Sequence, residues 1–147
     1  MALADRLRQH EDLRLQAYDD ATGAAIKPGT RVIGNPTIGV GTLIGPGGGI
    51  TEAEAELLLE NRVRIATKSA ASLVAPDFPA ADPARFDVLV EMAFQMGGAG
   101  LAKFENTLKA VRDRRWNDAA AGMLASTWAL QTPGRARELA EIMRSGK

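Results

Sequence analysis

The chain has 147 residues and 15.6 kDa, with 18 Lys plus Arg balanced by 18 Asp plus Glu, 46% apolar residues and 24% charged residues. That is about one domain of ordinary globular composition, long enough to bury a proper core, and it excludes a disordered chain. With no Cys and a single His, His10, disulfides, thiolate catalysis, Cys-ligated zinc and a His-rich metal site are all excluded, as is any Ser-His-Asp triad not built on His10.

No stretch approaches 18 apolar residues, so no membrane span is expected. The opening Met1-Ala2-Leu3-Ala4-Asp5-Arg6 lacks the apolar run of a secretory leader. Zero net charge hides an asymmetry: residues 51–82 carry a net −3 and residues 83–147 a net +3. The basic excess is small, the isoelectric point is near 6.6, and no basic patch alternates with aromatics, so nucleic acid is not an expected partner.

Taken in chain order, residues 1–12 read as a short helix, with Leu3 and Leu7 one turn apart. Residues 13–50 are rich in Gly and Pro. Short β-branched pieces, Arg31-Val32-Ile33 and Pro36-Thr37-Ile38-Gly39-Val40, lie between the turn residues and predict a small antiparallel sheet. Gly45-Pro46-Gly47-Gly48-Gly49 is a loop. The isolated Gly39-x-Gly41 is no phosphate cradle, because no fuller motif follows.

Thr51 with Glu54 three residues on forms a capping box, and Glu52 suits the first turn's dipole. The helix it opens runs through Leu57, Leu58, Val63 and Ile65 to about Val74. Its length, about 35 Å at 1.5 Å per residue, suits a bridge between two lobes; the alternative is a plain long core helix. Asp82-Pro83 starts another helix, with Phe86, Leu89, Val90, Ala93 and Phe94 as its stripe and Gly97-Gly98 as its stop. Asn106 and Asn117 are the expected caps of two more. Thr132-Pro133 opens a last helix that Gly146 ends. A compact helical lobe over residues 75–147 follows.

With no Cys and one His, the chemistry falls to carboxylates and hydroxyls. Glu11 lies near the end of the first helix, and Asp19 and Asp20 in a turn-like stretch. Two carboxyls facing one groove suit glycoside hydrolysis, one protonated to donate to the leaving oxygen and the other ionised to act on water. Read alone, such residues are more often caps or solvated charges.

The wider pattern adds weight. Glu11-Asp12-Leu13-Arg14-Leu15-Gln16-Ala17-Tyr18-Asp19-Asp20 followed by Thr37-Ile38-Gly39-Val40-Gly41 resembles the phage-type (T4-like) lysozyme family, glycoside hydrolase family 24. So do Phe94-Gln95-Met96-Gly97, Phe104-Glu105-Asn106-Thr107-Leu108, Arg115-Trp116-Asn117-Asp118-Ala119-Ala120 and Gln131-Thr132-Pro133-Gly134-Arg135-Ala136. The resemblance covers nearly the whole chain in order. It implies an α+β, two-lobed lysozyme-like fold organised as one domain over residues 1–147: an N-terminal helix (1–12), a small β-rich lobe (13–50), an interlobe helix (51–74) and a helical lobe (75–147).

The resemblance also implies an activity, hydrolysis of the β-1,4 bond between N-acetylmuramic acid and N-acetylglucosamine in peptidoglycan. Glu11 takes the general-acid place, and Asp20 and Thr37 hold the attacking water in an inverting single displacement. Leu43, Phe94, Thr107 and Gly122 match glycan-contacting places, though Gly122 offers no side chain where some relatives have an amide. Phe94 also has a plain reading as core packing on the Phe86 stripe. Arg135 matches a basic residue that pairs with the acid. Trp116, Trp128 and Gln131 read as structure.

The expected partners are peptidoglycan glycan strands, with no cofactor and no metal, and a monomer is expected. Such an enzyme would collect in a host cytoplasm and need a holin to reach the wall. Two rivals stand beside this reading. A binding module would hold glycan without releasing reducing ends. A lytic transglycosylase would leave an anhydro end and would not need Asp20 or Thr37.

Two departures from the family pattern matter. Many relatives place the Thr six positions after the Asp, whereas Asp20 and Thr37 are seventeen apart, so the segment around residues 25–36 must loop out as a hairpin or turn. Thr42 stands where many relatives have His.

Overall fold

A computed structural model describes Leu3, Ala4, Leu7 and residues 13–147. The three early residues are helical; the rest of the expected helix 1–12, Glu11 included, lies outside the described residues. The fold is α+β: a three-stranded sheet precedes a series of helices. The chain divides into two compact units, residues 1–56 and 57–147.

In the first unit, β1 (Arg14–Asp19), β2 (Pro36–Gly39) and β3 (Thr42–Leu43) form an antiparallel sheet in the order β1-β2-β3. Tyr18 lies opposite Thr37, Asp19 opposite Pro36, and Thr37 opposite Leu43. Gly39 and Gly41 both take positive φ, which lets β2 turn tightly into β3. The strand expected at Arg31-Val32-Ile33 does not form. β-branching is a packing preference that context overrides, and here the Ile33 N–H donates to Asp19 Oδ2 (2.6 Å) instead of to a neighbouring strand. Residues 20–35 instead loop out as turns, pinned by a bridge between Tyr18 and Ala25 and by main-chain bonds from Asp19 N–H to Ala24 O (2.9 Å) and Ile26 N–H to Ala17 O (2.9 Å).

Helix α1 (Glu52–Ala71) opens with the expected capping box. Thr51 Oγ1 accepts from the Glu54 N–H (3.2 Å), and Glu54 Oε2 accepts from the Thr51 N–H (2.7 Å). It ends three residues before the predicted Val74. The boundary between the two units falls inside it. Only Ala66 and Ala70 of this helix are buried; Leu57, Leu58, Leu59, Val63 and Ile65 are exposed.

The second unit continues with α2 (Phe78–Ala81), α3 (Pro83–Ala102), α4 (Glu105–Arg112), α5 (Trp116–Leu124), α6 (Thr127–Gln131) and α7 (Pro133–Ser145). Asp82 caps α3 as predicted, Oδ1 accepting from the Arg85 N–H. Gly97 breaks that helix at φ 77°, but helical geometry resumes to Ala102 rather than stopping. Asn106 and Asn117 are not caps. The cap positions belong to Phe104 and Arg115, neither with a side-chain capping bond, and both Asn lie inside their helices. Thr132 occupies the α7 cap position, but its hydroxyl donates to Trp128 O (3.0 Å) instead of capping. Gly146 at φ 77° ends α7 as expected.

Every buried apolar residue described lies between Ala66 and Met143, centred on Leu89, Met92, Leu101, Met123 and Met143. Arg85 ties the ends of α3 and α7 together. Its guanidinium pairs with Asp82 (2.5 Å), donates to Met143 O (2.6 Å) and Arg144 O (3.0 Å), and lies 4.3 Å over the Trp116 ring. A cation on the last carbonyls of a helix answers their partial negative charge.

Candidate active site

The sheet brings Asp20, Thr37 and Leu43 together. Residues directly opposite in an antiparallel pair share a face, as do alternate residues along one strand. The register therefore sets Tyr18, Thr37 and Leu43 side by side across the three strands. One step beyond the Asp19–Pro36 pair, the ladder continues as a bond from the Asp20 N–H to Asn35 O (3.1 Å).

The two adjacent aspartates have different environments. Asp19 is 2% exposed, and both its oxygens are taken. Oδ1 accepts from the N–H groups of Ala21 (3.0 Å) and Gly34 (2.9 Å), and Oδ2 from that of Ile33 (2.6 Å). These bonds, that from Ile33 foremost, hold its carboxyl below the usual carboxylate range against the opposing cost of burial. Asp19 is thus a loop anchor, its carboxylate turned onto the main chain of residues 21–34 and away from solvent.

Asp20 is exposed. Its Oδ1 accepts from the Asn35 N–H (2.6 Å) and its Oδ2 from Asn35 Nδ2 (3.1 Å). The main-chain bond and then the side-chain bond lower its pKa, while desolvation and the Asp19 charge oppose them. Each carboxylate oxygen has two lone pairs, so Asp20 keeps acceptor capacity facing solvent.

Thr37 is buried, and its Oγ1 donates to Asn35 O (3.2 Å). With that proton committed, the hydroxyl offers its lone pairs to a neighbouring donor such as water. The site is therefore two acceptors, one charged and one neutral, held by the same residue.

Asn35 itself was not singled out by sequence reasoning. The available signal was its place just before Pro36-Thr37 at the end of the extra segment, and Gly34 beside it. A Cβ at Gly34 would lie 2.2 Å from Asp20 Oδ1 and 2.8 Å from Ala21 N, so only glycine lets the returning chain pass this close.

The remaining expected residues belong to the second unit. Thr107 on α4 is buried and Gly122 on α5 faces it; a Cβ at Gly122 would meet Thr107 Oγ1 at 2.5 Å. An amide side chain at that position would collide with Thr107. Both line an open pocket of about 560 Å³ with Phe104, Asn106, Ser126 and Trp128. Trp128 is buried, as its structural reading requires, and its indole N–H donates to Gln95 Oε1 (2.8 Å). Trp116 stacks on Phe78 with ring centroids 6.1 Å apart. Gln131 is exposed.

Phe94 is 42% exposed, so it is not core packing on the Phe86 stripe. It flanks a groove with Leu59, Val63 and Val90. Arg135 is exposed on α7, and its expected partner Glu11 lies outside the described residues. No group of three or more metal-ligating side chains occurs among the described residues.

The family described as phage lysozyme matches residues 8–141. Probable T4-type lysozyme 1 of Dictyostelium discoideum is 33% identical over 99 residues, which cover 66% of this chain and 58% of that protein. Probable T4-type lysozyme 2 of the same organism is 27% identical over 99% of this chain and 95% of its own length. The peptidoglycan hydrolase gp36 of Pseudomonas phage phiKMV is 32% identical over 93% of this chain, which spans 14% of that relative.

Proposed function

The chain belongs to the phage lysozyme family, and from that premise we propose that it is a lysozyme-type glycosidase that hydrolyses peptidoglycan between N-acetylmuramic acid and N-acetylglucosamine. The observation that carries the proposal is the family match over residues 8–141, a span that includes Glu11, Asp20 and Thr37. The names of the relatives, T4-type lysozyme and peptidoglycan hydrolase, support the substrate class.

In this reading Glu11 donates its proton to the glycosidic oxygen as the bond from the anomeric carbon breaks. Water attacks that carbon from the opposite face. Asp20 takes the water's proton, and the Thr37 hydroxyl accepts a hydrogen bond from its other O–H. A low carboxyl pKa keeps Asp20 ionised for this task at neutral pH. One displacement inverts the anomeric centre. By family position Leu43, Phe94, Thr107 and Gly122 are the glycan-contacting places, with Gly122 offering no side chain, and Arg135 is the place of the basic residue that relatives pair with the acid. The cut needs water alone. The biological outcome is bacterial cell lysis, with the protein gathering in a host cytoplasm until a holin admits it to the wall.

A reducing-end assay on purified peptidoglycan tests the proposal. The wild type should release hydrated reducing ends by mass spectrometry. Glu11→Gln should remain folded and release none, because an amide cannot donate the proton. Anhydro ends, or full activity in Glu11→Gln, would overturn it.

A further inference from the structure

We infer that Asn35 is the positioning residue of the site, a single residue whose side chain and main chain orient the Asp20 carboxylate and the Thr37 hydroxyl as one assembly. The inference rests on the lysozyme reading above and goes beyond it by naming what aligns the water-holding pair. In a chain where seventeen positions separate Asp20 from Thr37, sequence proximity does not hold the two groups together. Asn35 makes four bonds that do. Its N–H donates to Asp20 Oδ1 (2.6 Å) and its Nδ2 to Asp20 Oδ2 (3.1 Å). Its carbonyl accepts from the Asp20 N–H (3.1 Å) and from Thr37 Oγ1 (3.2 Å).

The consequence is geometric. A donor on each carboxylate oxygen fixes the plane of the Asp20 carboxyl group, which would otherwise rotate freely about its terminal torsion at an exposed position. Acceptance of the Thr37 proton by the carbonyl of the same residue fixes the hydroxyl rotor, leaving its lone pairs as the only face open to water. Gly34 and Asp19 supply the footing. The first lets the chain approach Asp20 closely, and the second clamps the N–H groups of Ile33 and Gly34, which immediately precede Asn35.

The test uses Asn35→Ala, Asn35→Asp and Asp20→Ala in the full chain, with circular dichroism to confirm folding. Asn35→Ala removes only the Nδ2 bond. It should lower kcat about tenfold, equal to about 1.4 kcal/mol of barrier, with KM within about twofold of wild type. The acid limb of the kcat–pH profile should move upward, because Asp20 then faces the Asp19 charge with one donor fewer. Asn35→Asp, of the same shape but bearing a charge against Asp20, should cost more than Asn35→Ala. Carbon NMR titration of the Asp20 carboxyl reads the same change without turnover. If Asp20→Ala is inactive while both Asn35 variants keep wild-type kcat and an unmoved Asp20 titration, Asn35 is not a positioning residue. If Asp20→Ala keeps wild-type turnover, the lysozyme reading of the pair fails instead. Should Asn35→Asp not fold, Asn35→Ala alone decides.

Discussion

Thr37 shows how much a single hydroxyl is asked to do. It is buried, it gives its proton to Asn35 O, and it keeps only acceptor capacity. Thr37→Val preserves the volume and the β-branch but removes that acceptor. We expect kcat to fall about a hundredfold with the fold retained, because an unaligned water loses general-base assistance; steady-state kinetics on soluble glycan fragments checks it. The aspartates predict a pH effect of definite sign. Asp19 and Asp20 both have folded-state pKa values below their ordinary 3.8. Their contribution to stability is therefore complete above that ordinary value and is lost as pH falls through the lower folded one. Acid titration monitored by NMR should show residues 19–37 holding their structure down to about pH 4 and loosening below it. Asp19→Asn should remove most of this acid dependence.

At the scale of elements, what was legible in the sequence was what is local. Thr51 with Glu54, Asp82 with Pro83, and Gly146 each act within one turn, and each does what its spacing implies. Asn106 and Asn117 carry the same kind of signal yet sit inside their helices, because the chain enters helical geometry one residue before each, at Glu105 and Trp116. Of the candidate site, Asp20 and Thr37 were legible only as residue types at family positions. The part that was not legible is the one made by return of the chain. No local rule says that Ile33, Gly34 and Asn35 turn their N–H groups toward two aspartates about fifteen residues away. The β-branched Arg31-Val32-Ile33 pointed toward a strand, and this second use of its backbone overrode that preference. Gly34→Ala tests the close approach. Its Cβ would lie 2.6 Å from Ala21 Cβ as well as against Asp20, so we expect a loss of about 1–3 kcal/mol of stability, typical of overpacking, and reduced turnover, measured by denaturant unfolding and by the reducing-end assay.

Across the whole molecule, the two units are held by different forces. The second has the apolar core, with Leu89, Met92, Leu101, Met123 and Met143 at or near zero exposure. In the first, the buried residues described are Asp19 and Thr37, both polar, and order comes from hydrogen bonds rather than apolar burial. Hydrogen exchange should follow this division. Amides of α3, α5 and α7 should be protected to near the global unfolding free energy, and those of β1 to β3 should exchange through smaller openings. Equal protection in both units would contradict it.

Everything proposed about catalysis turns on a water molecule held by Asp20 and Thr37 and delivered opposite the leaving group. Proton NMR of the first product formed from a soluble peptidoglycan fragment, recorded before mutarotation, reads this directly. The account predicts that the newly released reducing end appears first as the α-anomer, inverted from the β-linkage. Initial appearance of the β-anomer would mean two displacements through a covalent intermediate, and would contradict the role given to that pair.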